Sequence, residues 1–207
     1  YNVYLGKKSS NNLAEDAFVP GITYNVSQTV EGTEKFKNKA FVTENKLINV
    51  SGEVAITDIS KNDNYVFSEI NSPGYVTRSG SYGVNVIKKI DGNKYVIDHL
   101  QYYSGAGASK KEADIQLGET YWILSDRTAS KTPTEAQKRN SIAYITLKTD
   151  GSEFSYVGIN EPIVPEGKFN LNLVKYIKNT TEPLTGAGFK IKIENKATKK
   201  AVVDSNN

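Results

Sequence analysis

The chain has 207 residues, 38% of them hydrophobic and 10% aromatic, which is enough for one sizeable core, or for one domain plus part of another. Its net charge of +3 comes from 26 basic and 23 acidic residues, with no block of like charge to suggest a nucleic-acid arm or a membrane-surface helix. Cys and Met are both absent, which excludes disulfides, zinc-thiolate sites, iron–sulfur clusters and a thiol nucleophile.

Thirteen tyrosines, set among Val, Ile and Thr in short runs broken by Gly, Asn and Asp, predict an all-β protein. Tyr1 is not a translation start, and no stretch reads as a signal peptide or a membrane span, so the chain is expected to be a processed protein or a piece of a longer one. The first predicted strand, Tyr1-Asn2-Val3-Tyr4-Leu5-Gly6-Lys7, puts Tyr1, Val3, Leu5 and Lys7 on one face, because strand side chains alternate. A lysine therefore ends an apolar row. Lys8, on the opposite face by the same parity, is the rival amine.

The next informative strand is Tyr65-Val66-Phe67-Ser68-Glu69-Ile70, followed by the turn Asn71-Ser72-Pro73-Gly74-Tyr75. Tyr65, Phe67 and Glu69 share a face, so a carboxylate ends an aromatic row. Burying it ionised beside two rings is costly unless it is paired, which calls for a protonated Glu69, a cationic neighbour, or a strand end that reaches water. Asp91-Gly92 and Asp150-Gly151 predict tight hairpins, joining Val84–Ile90 to Lys94–His99 and Ile142–Lys148 to Glu153–Ile159. Short strands at this spacing predict an immunoglobulin-like β-sandwich.

Between these hairpins, Ser104–Asn140 is rich in Gly, Ala, Ser, Lys and Thr and is expected to be a long surface insertion. Tyr121-Trp122-Ile123-Leu124 forms a strand inside it. Thr132-Pro133-Thr134-Glu135 resembles a helix start, with Pro at the first helical position. The last strand of the unit, Phe154-Ser155-Tyr156-Val157-Gly158-Ile159-Asn160, places Phe154, Tyr156, Gly158 and Asn160 on one face. Three strands thus each run an apolar row into one polar group: Lys7, Glu69 and Asn160.

An amine, a carboxyl and a carboxamide are the components of one reaction. A desolvated lysine has a lowered pKa and is nucleophilic near neutrality, while a buried carboxyl can polarise a carbonyl and relay protons. Attack by Lys7 on the carboxamide carbon of Asn160 would expel ammonia and leave an amide between the side chains. Folding would supply the proximity, and no cofactor or metal is called for. By analogy with disulfide loops of about 100 residues, such a tie would contribute roughly 4 to 5 kcal/mol through the unfolded chain.

Beyond Asn160, the stretch 164–168 reads as a proline-containing linker between a unit at 1–163 and a second one at 169–207. Phe169-Asn170-Leu171-Asn172-Leu173-Val174-Lys175 repeats the first strand position for position, making Lys175 the counterpart of Lys7. No partner glutamate or asparagine strand follows. The second unit is therefore either cut short or completed by another chain through strand addition.

The quoted strands resemble a known family. Tyr65–Glu69 with Ser72-Pro73-Gly74-Tyr75, Val157–Pro162, and Leu173–Lys175 with Glu182–Phe189 are similar to the glutamate strand and turn, the close and the opening of collagen-adhesin B-type (CnaB-like) domains of Gram-positive surface adhesins and pilins. The resemblance covers the strand ends well and the stretch 82–140 poorly, and Val19–Tyr24 lacks the usual opening motif. It implies an isopeptide bond between Lys7 and Asn160, with Glu69 as the catalytic acid, in an extracellular, cell wall-anchored stalk or pilus subunit. Identical or related subunits in a polymer are the implied partners. Tyr176-Ile177-Lys178-Asn179 resembles a pilin motif without its proline, which would make Lys178 a sortase-linked lysine.

Two other function classes stand beside this one. A binding module would use the 104–140 insertion and Tyr102, Tyr103, Tyr121 and Trp122 to contact a host glycan or extracellular-matrix protein. A turnover enzyme has little to work with: a lone His99 beside Asp98, no nucleophile elbow, and a Gly105–Lys110 stretch without phosphate-loop spacing.

Overall fold

The computed structural model describes residues 1–163 and 173–192. The chain divides into two compact units, Tyr1–Val164 and Pro165–Asn207. The first unit is a sandwich of two six-stranded sheets. In chain order its strands are β1 (Asn2–Ser9), β2 (Thr23–Val30), β3 (Thr33–Val42), β4 (Ile48–Asn49), β5 (Asp63–Asn71), β6 (Ser81–Asp91) and β7 (Lys94–Ser104). They continue with β8 (Lys111–Gln116), β9 (Thr120–Ile123), β10 (Ala129–Ser130), β11 (Ala143–Leu147) and β12 (Glu153–Asn160), with a helix α1 (Glu135–Asn140) between β10 and β11. One sheet runs β10-β9-β11-β12-β1-β4 and the other β3-β2-β5-β6-β7-β8.

Alternation builds the core. Val3, Leu5, Ile145, Leu147, Phe154 and Tyr156 from one sheet meet Tyr24, Val26, Tyr65, Phe67, Val84 and Leu100 from the other, all of them buried. The Phe67 ring stacks on Tyr156 at 4.4 Å between centroids, and Tyr65 meets Phe154 edge-on at 5.5 Å. Such aromatic contacts add about 0.5–1.5 kcal/mol each beyond the area they bury. Both predicted hairpins form, as β6 with β7 and β11 with β12. The first and last strands lie side by side in parallel, with Lys7 opposite Gly158 and Ser9 opposite Asn160.

The stretch 104–140 is not a surface insertion. β8 pairs with β7 and β9 with β11, and Ile115 and Ile123 are fully buried. Composition misled here, because the polar residues alternate with the few apolar ones that face inward. The helix cap also differs from expectation. Thr134, not Thr132, is the N-cap; it forms a capping box with Gln137, and Pro133 precedes the cap. Gln137, three residues after Thr134, supplies the reciprocal bond by accepting from the Thr134 N–H at 2.9 Å, whereas Glu135, three residues after Thr132, accepts from Lys138.

In the second unit, Phe169 and the rest of the repeat before Leu173 lie outside the described residues, and Leu173–Lys175 has no strand geometry. Ile177–Glu182 forms a turn closed by the Ile177 N–H donating to the Glu182 carbonyl at 3.0 Å. Asn179 takes a left-handed φ of 65° there, a conformation that asparagine tolerates better than most residues.

Candidate functional site

The polar ends of the three rows converge inside the first unit. Lys7 on β1 and Asn160 on β12 come from adjacent strands of one sheet, and Glu69 on β5 faces them from the other. Lys7 is 1% exposed, Asn160 0% and Glu69 9%. One carboxylate holds both of the others: Lys7 Nζ donates to Glu69 Oε2, while Asn160 Nδ2 donates to Glu69 Oε1 at 2.7 Å. The Arg78 N–H also donates to Oε1, at 3.1 Å.

Electrostatics follow from this burial. Desolvation drives the Lys7 amine down to about 8, against the opposing pull of Glu69. For Glu69, burial works upward but is outweighed by the Lys7 ammonium and by hydrogen bonds from Lys7, Asn160 and Arg78, so its carboxyl falls below the ordinary value. The two groups form an ion pair with the proton on Lys7, which gives it up more readily than in water, and Oε2 is the adjacent acceptor. Glu69 receives a bond from the carboxamide nitrogen here, not the expected donation to its oxygen. Asn160 Oδ1 has no hydrogen-bond partner among the described residues.

Lys8 points to the opposite side of its sheet. Its Nζ donates to the carbonyls of Ala14 and Glu15 and lies 4.8 Å from the centre of the Phe18 ring. Among the described residues no carboxylate lies within salt-bridge distance of it. Lys175 and Lys178 are exposed in the second unit, Lys178 on the turn described above. The Lys175 carbonyl accepts from the Leu184 N–H, as the Lys7 carbonyl accepts from the Val19 N–H at 2.8 Å.

Three neighbours of the site are not singled out by sequence reasoning. Tyr24 on β2 accepts from Lys7 Nζ at 2.8 Å and donates to Glu69 Oε2 at 3.1 Å. Arg78 anchors its loop by donating to the carbonyls of Asn140 and Ser141, both at 3.0 Å. Gly158 leaves the space that Lys7 crosses, since a Cβ there would lie 2.8 Å from Lys7 Nζ. The inward row Tyr24, Val26, Gln28 on β2 carries a signal for the first of these; backbone donors such as Arg78 leave none.

The aromatics expected to bind a ligand divide between core and surface. Tyr102 is fully buried, with its hydroxyl donating to the Arg127 carbonyl at 2.8 Å, and Tyr121 packs against the core. The Tyr103 hydroxyl accepts from Asn64 Nδ2 at 2.9 Å. Trp122 lies on the outer face of its sheet, 4.7 Å from Tyr144 between ring centres, in an open groove of about 550 Å³ that Lys8 and Phe18 also line. His99 Nδ1 is bonded to Asp98, which also pairs with Lys89.

No protein-family model and no curated protein matches the chain. Among solved structures, a C-terminal fragment of the pilus adhesin SpaC from Lactobacillus rhamnosus GG aligns at a TM-score of 0.43 with 13% identity, over 81% of this chain and 47% of that one. A longer SpaC structure from the same organism aligns at 0.42 with 15% identity, over 78% of this chain and 16% of that one. The chain spans less than half the length of either structure, and at these TM-scores the fold rests on its own strands.

Proposed function

We propose that this protein is a structural module of a Gram-positive surface adhesin stalk or pilin, locked by an isopeptide bond that Lys7 and Asn160 form autocatalytically with Glu69 as the acid–base group. The observation that carries this reading is the bridging carboxylate, with the amine on one oxygen and the carboxamide on the other in a buried site. The proton leaves Lys7 Nζ for Glu69 Oε2, and the freed amine attacks Asn160 Cγ. Glu69 passes that proton to Nδ2 and takes the second proton that Nζ sheds as the new C–N bond becomes an amide; the bond from Cγ to Nδ2 breaks, nitrogen departs as ammonia, and Glu69 is left protonated. Nothing else is consumed.

Intact mass spectrometry tests the reading: the wild-type protein should be one ammonia lighter than its sequence, and Glu69→Ala should carry the full mass. A wild-type protein at full mass overturns it. The matching carbonyl contacts of Lys7 and Lys175 support a second, similar domain in which Lys175 is the cross-linking lysine. The exposed turn supports Lys178 as a residue that a sortase could join to a neighbouring subunit. Both belong to the same surface-polymer reading.

A second reading, recognition of a host glycan or protein, is favoured by the Trp122–Tyr144 groove, because half-buried rings beside polar groups in an open groove suit saccharide faces. Glycan-array binding that disappears on Trp122→Ala would support it. Absence of any wild-type binding would remove it.

A further inference from the structure

We infer that Tyr24 is a catalytic residue of the cross-linking reaction, its hydroxyl holding the Lys7 nitrogen and the Glu69 carboxylate in register while the proton passes between them; this rests on the isopeptide reading above. The hydroxyl touches both reacting groups, accepting from Lys7 Nζ at 2.8 Å and donating to Glu69 Oε2 at 3.1 Å. With it, each carboxylate oxygen has two donors: Lys7 and Tyr24 on Oε2, Asn160 and Arg78 N–H on Oε1. The carboxylate therefore cannot rotate without breaking bonds, and Oε2 stays with the nucleophile.

The bond from Lys7 to Tyr24 matters most after the proton has moved. Transfer from Nζ to Oε2 abolishes the ion pair and with it the Coulomb attraction that positions the amine. The neutral amine still has an N–H to donate, and the phenol oxygen still accepts it. Tyr24 keeps its own proton throughout, because burial raises its pKa well above the ordinary value. It neither gains nor loses atoms; the bonds made and broken are those at Nζ, Cγ and Nδ2.

The surroundings are shaped for that hydroxyl. A Cβ on Gly158 would lie 1.9 Å from the Tyr24 oxygen, so the glycine opposite Lys7 makes room for the phenol as well as the amine. The Tyr24 ring is fixed edge-on to Tyr156 at 6.1 Å, which leaves the hydroxyl little freedom of its own.

The test follows ammonia loss by intact mass at timed points after cell-free synthesis of the full chain, for wild type, Tyr24→Phe and Tyr156→Phe. Tyr24→Phe keeps the ring and removes the hydroxyl. Losing a hydrogen bond to a charged group predicts a rate about tenfold to a hundredfold lower. Tyr156→Phe, whose hydroxyl is not bonded to the three reacting residues, should cross-link at the wild-type rate. Wild-type kinetics in Tyr24→Phe, or equal slowing in both variants, overturns the inference while leaving the isopeptide reading intact. A full-mass wild type overturns that reading instead. If circular dichroism shows Tyr24→Phe unfolded, ring-fluorinated tyrosine at position 24 keeps the shape and weakens the oxygen as an acceptor. Slowed cross-linking then supports the role, and an unchanged rate overturns it.

Discussion

At the scale of single residues, a buried lysine imposes a pH dependence that its fate in the reaction should switch off. With its folded pKa near 8, below the ordinary 10.5, free Lys7 binds fewer protons in the native than in the unfolded chain between those values. Stability must then rise with pH across that window. Below it both states are protonated, and the full cost of burying the charge is felt. Asn160→Ala leaves the amine free and should therefore gain stability in chemical denaturation as pH rises from about 8 toward 10. The wild-type protein, with the amine consumed, should lack this gain. Identical pH profiles would mean that Lys7 is not consumed. In acid the sign comes from Glu69. Its lowered folded pKa contributes stability above the ordinary carboxyl range, and in Asn160→Ala that contribution should fade as the pH drops through it.

At the scale of elements, β5 is bracketed by two carboxylates that each hold a buried lysine, Glu69 holding Lys7 from the facing sheet and Asp63 holding Lys88 from the neighbouring strand β6. The inward row Asp63, Tyr65, Phe67, Glu69 has Lys7 at one end and Lys88 at the other, Lys88 Nζ lying 3.0 Å from Asp63 Oδ1. Asp63 also accepts from the Tyr1 hydroxyl and, at 2.7 Å, from the Glu31 N–H, while Lys88 donates to the Asp58 carbonyl at 3.0 Å. No carboxamide joins this second pair among the described residues, so it ties strands together by charge and hydrogen bonds with no covalent step open to it. Removing one member leaves the other buried and unpaired, and Lys88→Ala should cost about 3–5 kcal/mol in denaturant unfolding. A loss under 1 kcal/mol would show the pair to be dispensable.

The parallel pairing of β1 with β12 has its own critical position. Gly158→Ala would drive a methyl into the Tyr24 hydroxyl and Lys7 Nζ, so it should lower the cross-linked fraction seen by mass spectrometry. Full cross-linking in that variant would mean the strands separate enough to admit the methyl. Both charged row ends of β5 are legible from strand parity. So is the lysine row of β6, where Val84 and Val86 precede Lys88. The membership of β8 in its sheet is not legible, because a short strand with few inward apolar residues reads like polar loop, and β9 is legible as a strand at Tyr121–Leu124 but not as a partner of β11.

At the scale of the molecule, the site joins the two ends of the first unit. An amide between Lys7 and Asn160 would route force entering at the first strand directly into the last, bypassing nearly everything between. Stretching single molecules by their ends should then show no large extension for the wild type. Lys7→Ala should release roughly 500 Å as about 150 residues unravel at 3.3–3.6 Å each. The same variant should melt lower and be cut by trypsin, since its ends can fray; equal resistance would argue against the tie.

The sequence by itself determined the β class, both hairpins and the three rows that end in Lys7, Glu69 and Asn160, because alternation is a local property of the extended chain. Only the tertiary structure decided that lysine and asparagine lie on neighbouring parallel strands with the glutamate facing them, that Tyr24 and Arg78 complete its hydrogen bonds, and that 104–140 belongs to the sheets. These depend on strand pairing and sheet packing between residues far apart in the chain, which periodicity within one strand does not encode.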